Sequence, residues 1–286
     1  MHRPPTLGRF APVLALVVGA CGGGLGYRSV AEIAGDLPVP PGVQRIRLEI
    51  ENGTLDIAAP EDPAPVGITY RGGVRRAANT AADLERIEAQ PIALEAAVDD
   101  ADPAVLVVRG PRLPEGVAGV IGFEAGIRVP AEMPLEVVVR ANGHVTMVGR
   151  RAHSRVRTGR GDLRFERCEG GVEARTGQGV LIAFGHRGDL DVRSDNGDMQ
   201  AFVEVPGESI TLDTGRGTVQ CHVPESLAFE VDARVEVGKI GSGYDLPVAT
   251  VGEFRAAMVG RRSAGTTRIV LRSAKGHLAL IPRKFD

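Results

Sequence analysis

From Gly143 to Gly217 the chain repeats itself with a period of 18 residues. Residues 158–161 read TGRG, 176–179 TGQG, 194–197 SDNG and 214–217 TGRG. The closing glycines, Gly143, Gly161, Gly179, Gly197 and Gly217, stand 18 apart with one interval of 20, and Gly170 and Gly188 fall halfway between. A fixed period constrains the fold more than any single motif, because each copy must solve the same packing problem.

The residues after each corner glycine alternate. Val145 and Met147, Leu163 and Phe165, Leu181 and Ala183, Met199 and Ala201, Val219 and Cys221 are apolar, with polar or variable residues between them. The other half of each unit does the same at Val172 and Ala174, Leu190 and Val192, Ile210 and Leu212. Such alternation is the mark of a strand with one buried face. Each unit therefore predicts two short strands joined by glycine corners, which glycine suits because it turns without a Cβ clash.

A meander of hairpins and a solenoid both satisfy this pattern. The columns favour the solenoid. Steps of 18 stack Thr158, Thr176 and Ser194, then Thr214; Arg157, Arg175 and Arg193, then Asp213; and Arg155, Glu173 and Asp191. Stacked coils would bring such residues to about 4.8 Å, where like side chains form ladders. The hydroxyl column is expected to cap the corners. The predicted fold is all-β: a single-chain β-solenoid (β-helix) with coils of about 18 residues and one short helix in the N-terminal part. The hand is not set by the sequence.

Residues 1–20 look like an export leader. His2, Arg3 and Arg9 precede an apolar run from Ala11 to Ala20 that is too short to span a bilayer. Val18-Gly19-Ala20-Cys21 then resembles the bacterial lipobox. That resemblance implies lipidation at Cys21, a membrane anchor without a spanning helix, and, with Gly22 following, an outer-membrane address. Residues 21–42 read as a flexible tether, 43–132 as an N-terminal β part and 133–286 as the repeat unit with a C-terminal cap. Residues 77–90 are the one helical stretch, with Thr80 placed to cap it.

The chemistry is sparse. Loss of the leader removes Arg3 and Arg9 and leaves a mildly acidic chain, which argues against nucleic acid as a partner. Cys168 and Cys221 would lie three coils apart, too far for a disulfide, so two free thiols are expected, Cys221 among the core residues. Asp162, Asp189 and Asp198 follow corner glycines directly and do not match the calcium β-roll unit. No metal or cofactor is expected. Polysaccharide cleavage would need a carboxylate pair or a basic residue beside acidic metal ligands. No Gly-x-Ser-x-Gly, His-x-x-x-His or Cys-x-x-Cys motif appears, and the absence of Trp, with only 3 Tyr, leaves few aromatic platforms for sugar. A polysaccharide-active enzyme is the alternative reading. The basic run Arg150, Arg151, Arg155, Arg157, Arg160, Arg164 and Arg167, extended by Arg175 and Arg193, offers an anionic-polymer site centred on Arg155, Arg157, Arg175 and Arg193.

Strand, Asn-Gly or Gly-x-Gly corner and strand, repeated behind an export signal, resembles the bacterial putative adhesin family over residues 43–286, best at 137–223. The resemblance implies a solenoid of β-strand repeats and carries over no catalytic residues. It points to a non-catalytic cell-envelope lipoprotein, a scaffold or binding surface for envelope polysaccharide or another envelope protein.

Overall fold

Alternating apolar residues between glycine corners commit the chain to strands, and strands dominate. The computed structural model describes residues 15–16, 26–60, 67–251 and 255–284. Cys21 and most of the leader lie outside the described residues. Among those described, the strands form one 19-stranded sheet, and Ala81–Glu88 is the one helix. Thr80 caps it by accepting from the Asp83 N–H at 3.0 Å, and Leu84 and Ile87 are its buried residues. The helix is shorter than its composition suggests because Ala77 and Ala78 still belong to the strand Gly67–Ala78.

The spacing of 18 is the register of parallel pairing. Val156 lies opposite Ala174 and Ala174 opposite Val192; Thr158, Thr176 and Ser194 line up in the same way. A second set places Leu163 beside Leu181, Leu181 beside Met199 and Met199 beside Val219. The inward residues of both sets, including Val156, Ala174, Val192, Leu181, Ala201 and Cys221, are 0% exposed and fill one core. Each buried Val or Leu contributes roughly 1.5–3 kcal/mol, so this column-by-column burial holds the register.

Corners hold the two sets together. A Cβ on Gly161 would stand 1.9 Å from the Gly143 carbonyl oxygen, and one on Gly179 would stand 2.2 Å from that of Gly161. The corners can stack only because the side chain is missing. The hydroxyl column serves the same corners. Thr214 Oγ1 lies 3.0 Å from the Gly197 carbonyl and 3.1 Å from that of Arg216, and its single proton serves either. Ser273 donates to the Gly217 carbonyl at 3.0 Å. Thr158, Thr176, Thr214 and Ser273 bond to corner carbonyls and not to one another, while Ser194 accepts from the Asn196 N–H at 3.2 Å.

The expectation of one β-solenoid running coil upon coil is corrected. The parallel strands wrap the core as a closed barrel, and extra strands are added to it. The pairing order leaves the chain order at both ends. Leu135–Val148 sits beside Arg45–Ile50, with Ile46 opposite Leu135. Met199–Arg216 pairs next with Thr267–Arg283, Ile210 opposite Ile269, and Phe229–Ser242 lies beyond that. The additions are antiparallel: Tyr27–Pro38 on Gly67–Ala78, Gly67–Ala78 on Gly119–Arg128, and Arg255–Arg262 on Phe229–Ser242. The 18-residue spacing fixes neighbours only where it persists; outside it, hairpins decide. Of the stretch read as a tether, Tyr27–Pro38 is a strand with Ala31 and Ile33 buried.

Candidate functional site

Side chains that alternate with the core residues face outward, and the register turns them into columns. On the strands around Val156, Arg157 lies opposite Val138 and Arg175, Arg175 opposite Arg193, and Arg193 opposite Asp213. Parallel neighbours are about 4.8 Å apart, so three guanidinium stems leave the surface side by side. With Arg140, Thr176 and Asp195 they line a cleft of about 450 Å³.

The charges around the cleft are partly matched. Arg193 Nε lies 3.1 Å from Asp191 Oδ1, and Arg175 lies 3.6 Å from Glu173 Oε1. Arg157 acts on Glu173 only through its field; it has no ion-pair partner among the described residues. Burial pushes the Glu173 carboxyl up. The hydrogen bond from Arg155 and the fields of Arg155, Arg175 and Arg157 outweigh it, and Glu173 ends below the usual carboxylate range.

Of the expected basic strip only Arg157, Arg175 and Arg193 line the cleft. Arg151, Arg160, Arg164 and Arg167 do not, Arg164 lying on the second set of strands, and Arg155 and Arg150 have other tasks. Arg155 occupies the neighbouring column and donates from Nε to Glu173 Oε2 at 2.8 Å, so it does not line the cleft. Arg150 is 0% exposed. It donates to the carbonyls of Val129 at 2.8 Å, Pro130 at 2.6 Å and Met133, and burial lowers its pKa to about 10. It is a staple for the loop before Leu135–Val148. Nothing in its sequence neighbourhood separates it from Arg151, which is exposed and pairs with Glu132 at 2.6 Å.

The aspartates after the corners have a structural task. Asp162 Oδ1 accepts from the Val180 N–H at 2.8 Å, and Asp198 Oδ1 from the Thr218 N–H at 2.7 Å. Asp189 Oδ1 does the same for Ser209 at 2.8 Å. Each carboxylate ties a corner to the next strand. No group of three or more metal-ligating side chains occurs among the described residues. Cys168 and Cys221 are free and buried, and burial pushes the Cys221 thiol up to about 12.

One feature escaped the sequence reading. Phe184, Phe202 and His222 fall in one outward column on the other set of strands. Their spacing of 18 and 20 is the same signal that revealed the arginines. A scarcity of Trp and Tyr concealed an aromatic surface made of Phe and His.

No protein-family model matches the chain, and no curated protein matches its sequence. Solved structures similar to it include a putative cell adhesion protein from Clostridium sporogenes, 14% identical with a TM-score of 0.36, covering 88% of this chain and 100% of its own. A putative adhesin from Bacteroides fragilis is 12% identical with a TM-score of 0.31, over 87% of this chain and 97% of its own. One from Parabacteroides merdae is 11% identical with a TM-score of 0.25, over 89% and 97%. At scores this low the likeness carries no argument about family or function.

Proposed function

We propose that the protein is a non-catalytic binding component of the cell envelope, adhesin-like in role, whose arginine column takes an acidic envelope polysaccharide. The observation that supports this is the placement of Arg157, Arg175 and Arg193 on three consecutive parallel strands. Like charges directly opposite one another cost stability. Arginine nevertheless holds all three positions, and Glu173 and Asp191 offset the repulsion only in part. A carboxylate or phosphate lying across the column accepts paired N–H bonds from each guanidinium and removes the repulsion. The repeated spacing suits a repeating anionic chain better than a single small anion.

The test is fluorescence polarisation with labelled polygalacturonate, comparing the protein with Arg157→Gln/Arg175→Gln/Arg193→Gln. The triple variant is expected to bind at least about tenfold more weakly, one charge-assisted contact being worth roughly 1.5–3 kcal/mol. Equal binding rejects the site. Export as a lipoprotein anchored through Cys21 in the outer membrane belongs to the same reading and rests on the run Val18-Gly19-Ala20-Cys21. Radiolabelled palmitate should enter the protein and fail to enter Cys21→Ser.

A further inference from the structure

The outward columns of the two sets of strands differ in kind. Arginine and carboxylates crowd the set that carries Arg157. The second set carries Ile182, Gln200 and Gln220 in one column and Phe184, Phe202 and His222 in the next. The Phe184 and Phe202 rings lie 5.4 Å apart, centroid to centroid, and tilted. Phe202 and His222 are stacked at 4.3 Å. Phe184 is 47% exposed, which is unusual for a phenylalanine with a core beneath it. Alongside the rings, the Gln200 amide donates to the Gln220 carbonyl oxygen at 3.1 Å.

The side chains of the strip itself are neutral, but both columns start from charge: Glu166 lies opposite Phe184 and Arg164 opposite Ile182, and these two are ion-paired. Burial and the neighbouring Arg283 lower the pKa of His222, which keeps its imidazole neutral at pH 7. At the other end the Arg283 guanidinium lies 4.7 Å from the Phe202 centroid. Beside it opens a second cleft of about 620 Å³ lined by Glu204, Glu225, Arg262 and Arg283.

We propose that this ring-and-amide strip is a binding platform for a neutral glycan, whose pyranose rings lie along Phe184 and Phe202 while Gln200 and Gln220 meet its hydroxyls. Three properties select that occupant. A sugar ring presents an apolar face of C–H groups, which matches an exposed aromatic face. It also presents hydroxyls at its edge that need both donors and acceptors, and a glutamine amide supplies both. The rings and amides between the Arg164–Glu166 pair and Arg283 carry no charge to hold an acidic chain along their length, so the strip and the arginine column select different ligands. A partner of this chemistry needs no helix, groove or free sheet edge, only an exposed column of rings with polar neighbours, here Phe184 tilted by 58° against Phe202. The platform does not depend on the arginine cleft.

The probes are cellohexaose and chitohexaose, and the readout is saturation transfer from the protein to sugar protons, with affinity from calorimetry. The full chain should transfer to the ring protons of at least one probe. Phe184→Ala/Phe202→Ala should weaken binding by about tenfold or more, two ring contacts being lost. Phe184→Tyr, which keeps the ring, should retain binding, and so should Arg157→Gln/Arg175→Gln/Arg193→Gln. Because Phe184 is exposed, Phe184→Ala alone checks the result in a variant with an undisturbed core. Absence of transfer to either probe overturns the proposal, as does undiminished binding by the double variant. A concentration-dependent dimer in sedimentation that Phe184→Ala abolishes also overturns it, and assigns the strip to a second copy of the chain.

Discussion

A Cβ built on Gly161 would lie 1.9 Å from the carbonyl oxygen of Gly143, and Gly161 itself has φ of 141°. The corner thus has two reasons to be glycine, a contact with backbone that cannot swing aside and a backbone angle that side chains disfavour. Gly161→Ala should cost about 3 kcal/mol, from strain and overpacking together. Urea unfolding followed by circular dichroism checks it. Gly26, which has nothing within 4 Å of an added Cβ, is the control and should change little on substitution by Ala.

Asp162 and Asp198 make the aspartate argument testable. Each accepts from a backbone N–H of the next strand, at 2.8 and 2.7 Å. Asp162→Ala should lower stability by about 1 kcal/mol, the usual net worth of such a bond. Asp162→Asn, whose side-chain oxygen still accepts, should lose less. Chelation with EDTA should leave the thermal midpoint of the parent protein unchanged, since the carboxylates are already engaged. A drop of several degrees on EDTA treatment would reassign them to a metal.

Arg150 is buried without a carboxylate partner among the described residues, and its charge is met by three carbonyls. Arg150→Met keeps most of the volume and strands those carbonyls in the interior. Unsatisfied buried acceptors cost roughly 1–3 kcal/mol each, so a loss of about 3 kcal/mol or more is expected in thermal unfolding. An unchanged midpoint would mean that water replaces the guanidinium.

His186 gives the pH dependence its sign. It is 0% exposed, and its Nε2 donates to the Asp189 carbonyl at 2.9 Å. Burial lowers its pKa, while the Asp189 and Cys168 backbone and the Asp189 charge pull the other way and lose. The folded state therefore resists a proton that the unfolded chain accepts near its ordinary pKa of about 6.5. The unfolded state binds more protons below that value, so stability falls as pH drops from 7 towards 5. In His186→Gln, whose amide can still donate, this part of the slope should disappear. Thermal midpoints across that range decide it.

Much of the arrangement was legible because its period is written into neighbouring copies. The alternation at Val156, Ala174 and Val192 marked the inward faces, and the interval of 18 named their partners. The same interval placed Arg157, Arg175 and Arg193 together. What joins the repeat to its distant copies was less legible. The alternation of Ile46, Leu48 and Ile50 before Asn52-Gly53 matches that before Asn142-Gly143, and Ile269, Leu271 and Ser273 before Gly276 match Ile210, Leu212 and Thr214 before Gly217, so these copies were visible. That each lies directly beside its counterpart was not, because the long insertions between them must first fold back. The burial of Arg150 was hidden for a related reason: a run of basic residues looks like surface until the fold supplies carbonyls to bury one of them. The column of Phe184, Phe202 and His222 was readable in principle but was masked by composition.

The account depends on residues 18 apart being side-by-side neighbours at Arg157 and Arg175. Pyrene attached at both positions in Arg157→Cys/Arg175→Cys, on a Cys21→Ser background, measures that directly. Excimer emission is the predicted result, with monomer emission alone from an Arg157→Cys/Gln220→Cys control, whose second label sits in the Gln200 column. Monomer emission from the Arg157/Arg175 pair in the folded protein would contradict the register, and with it the arginine site.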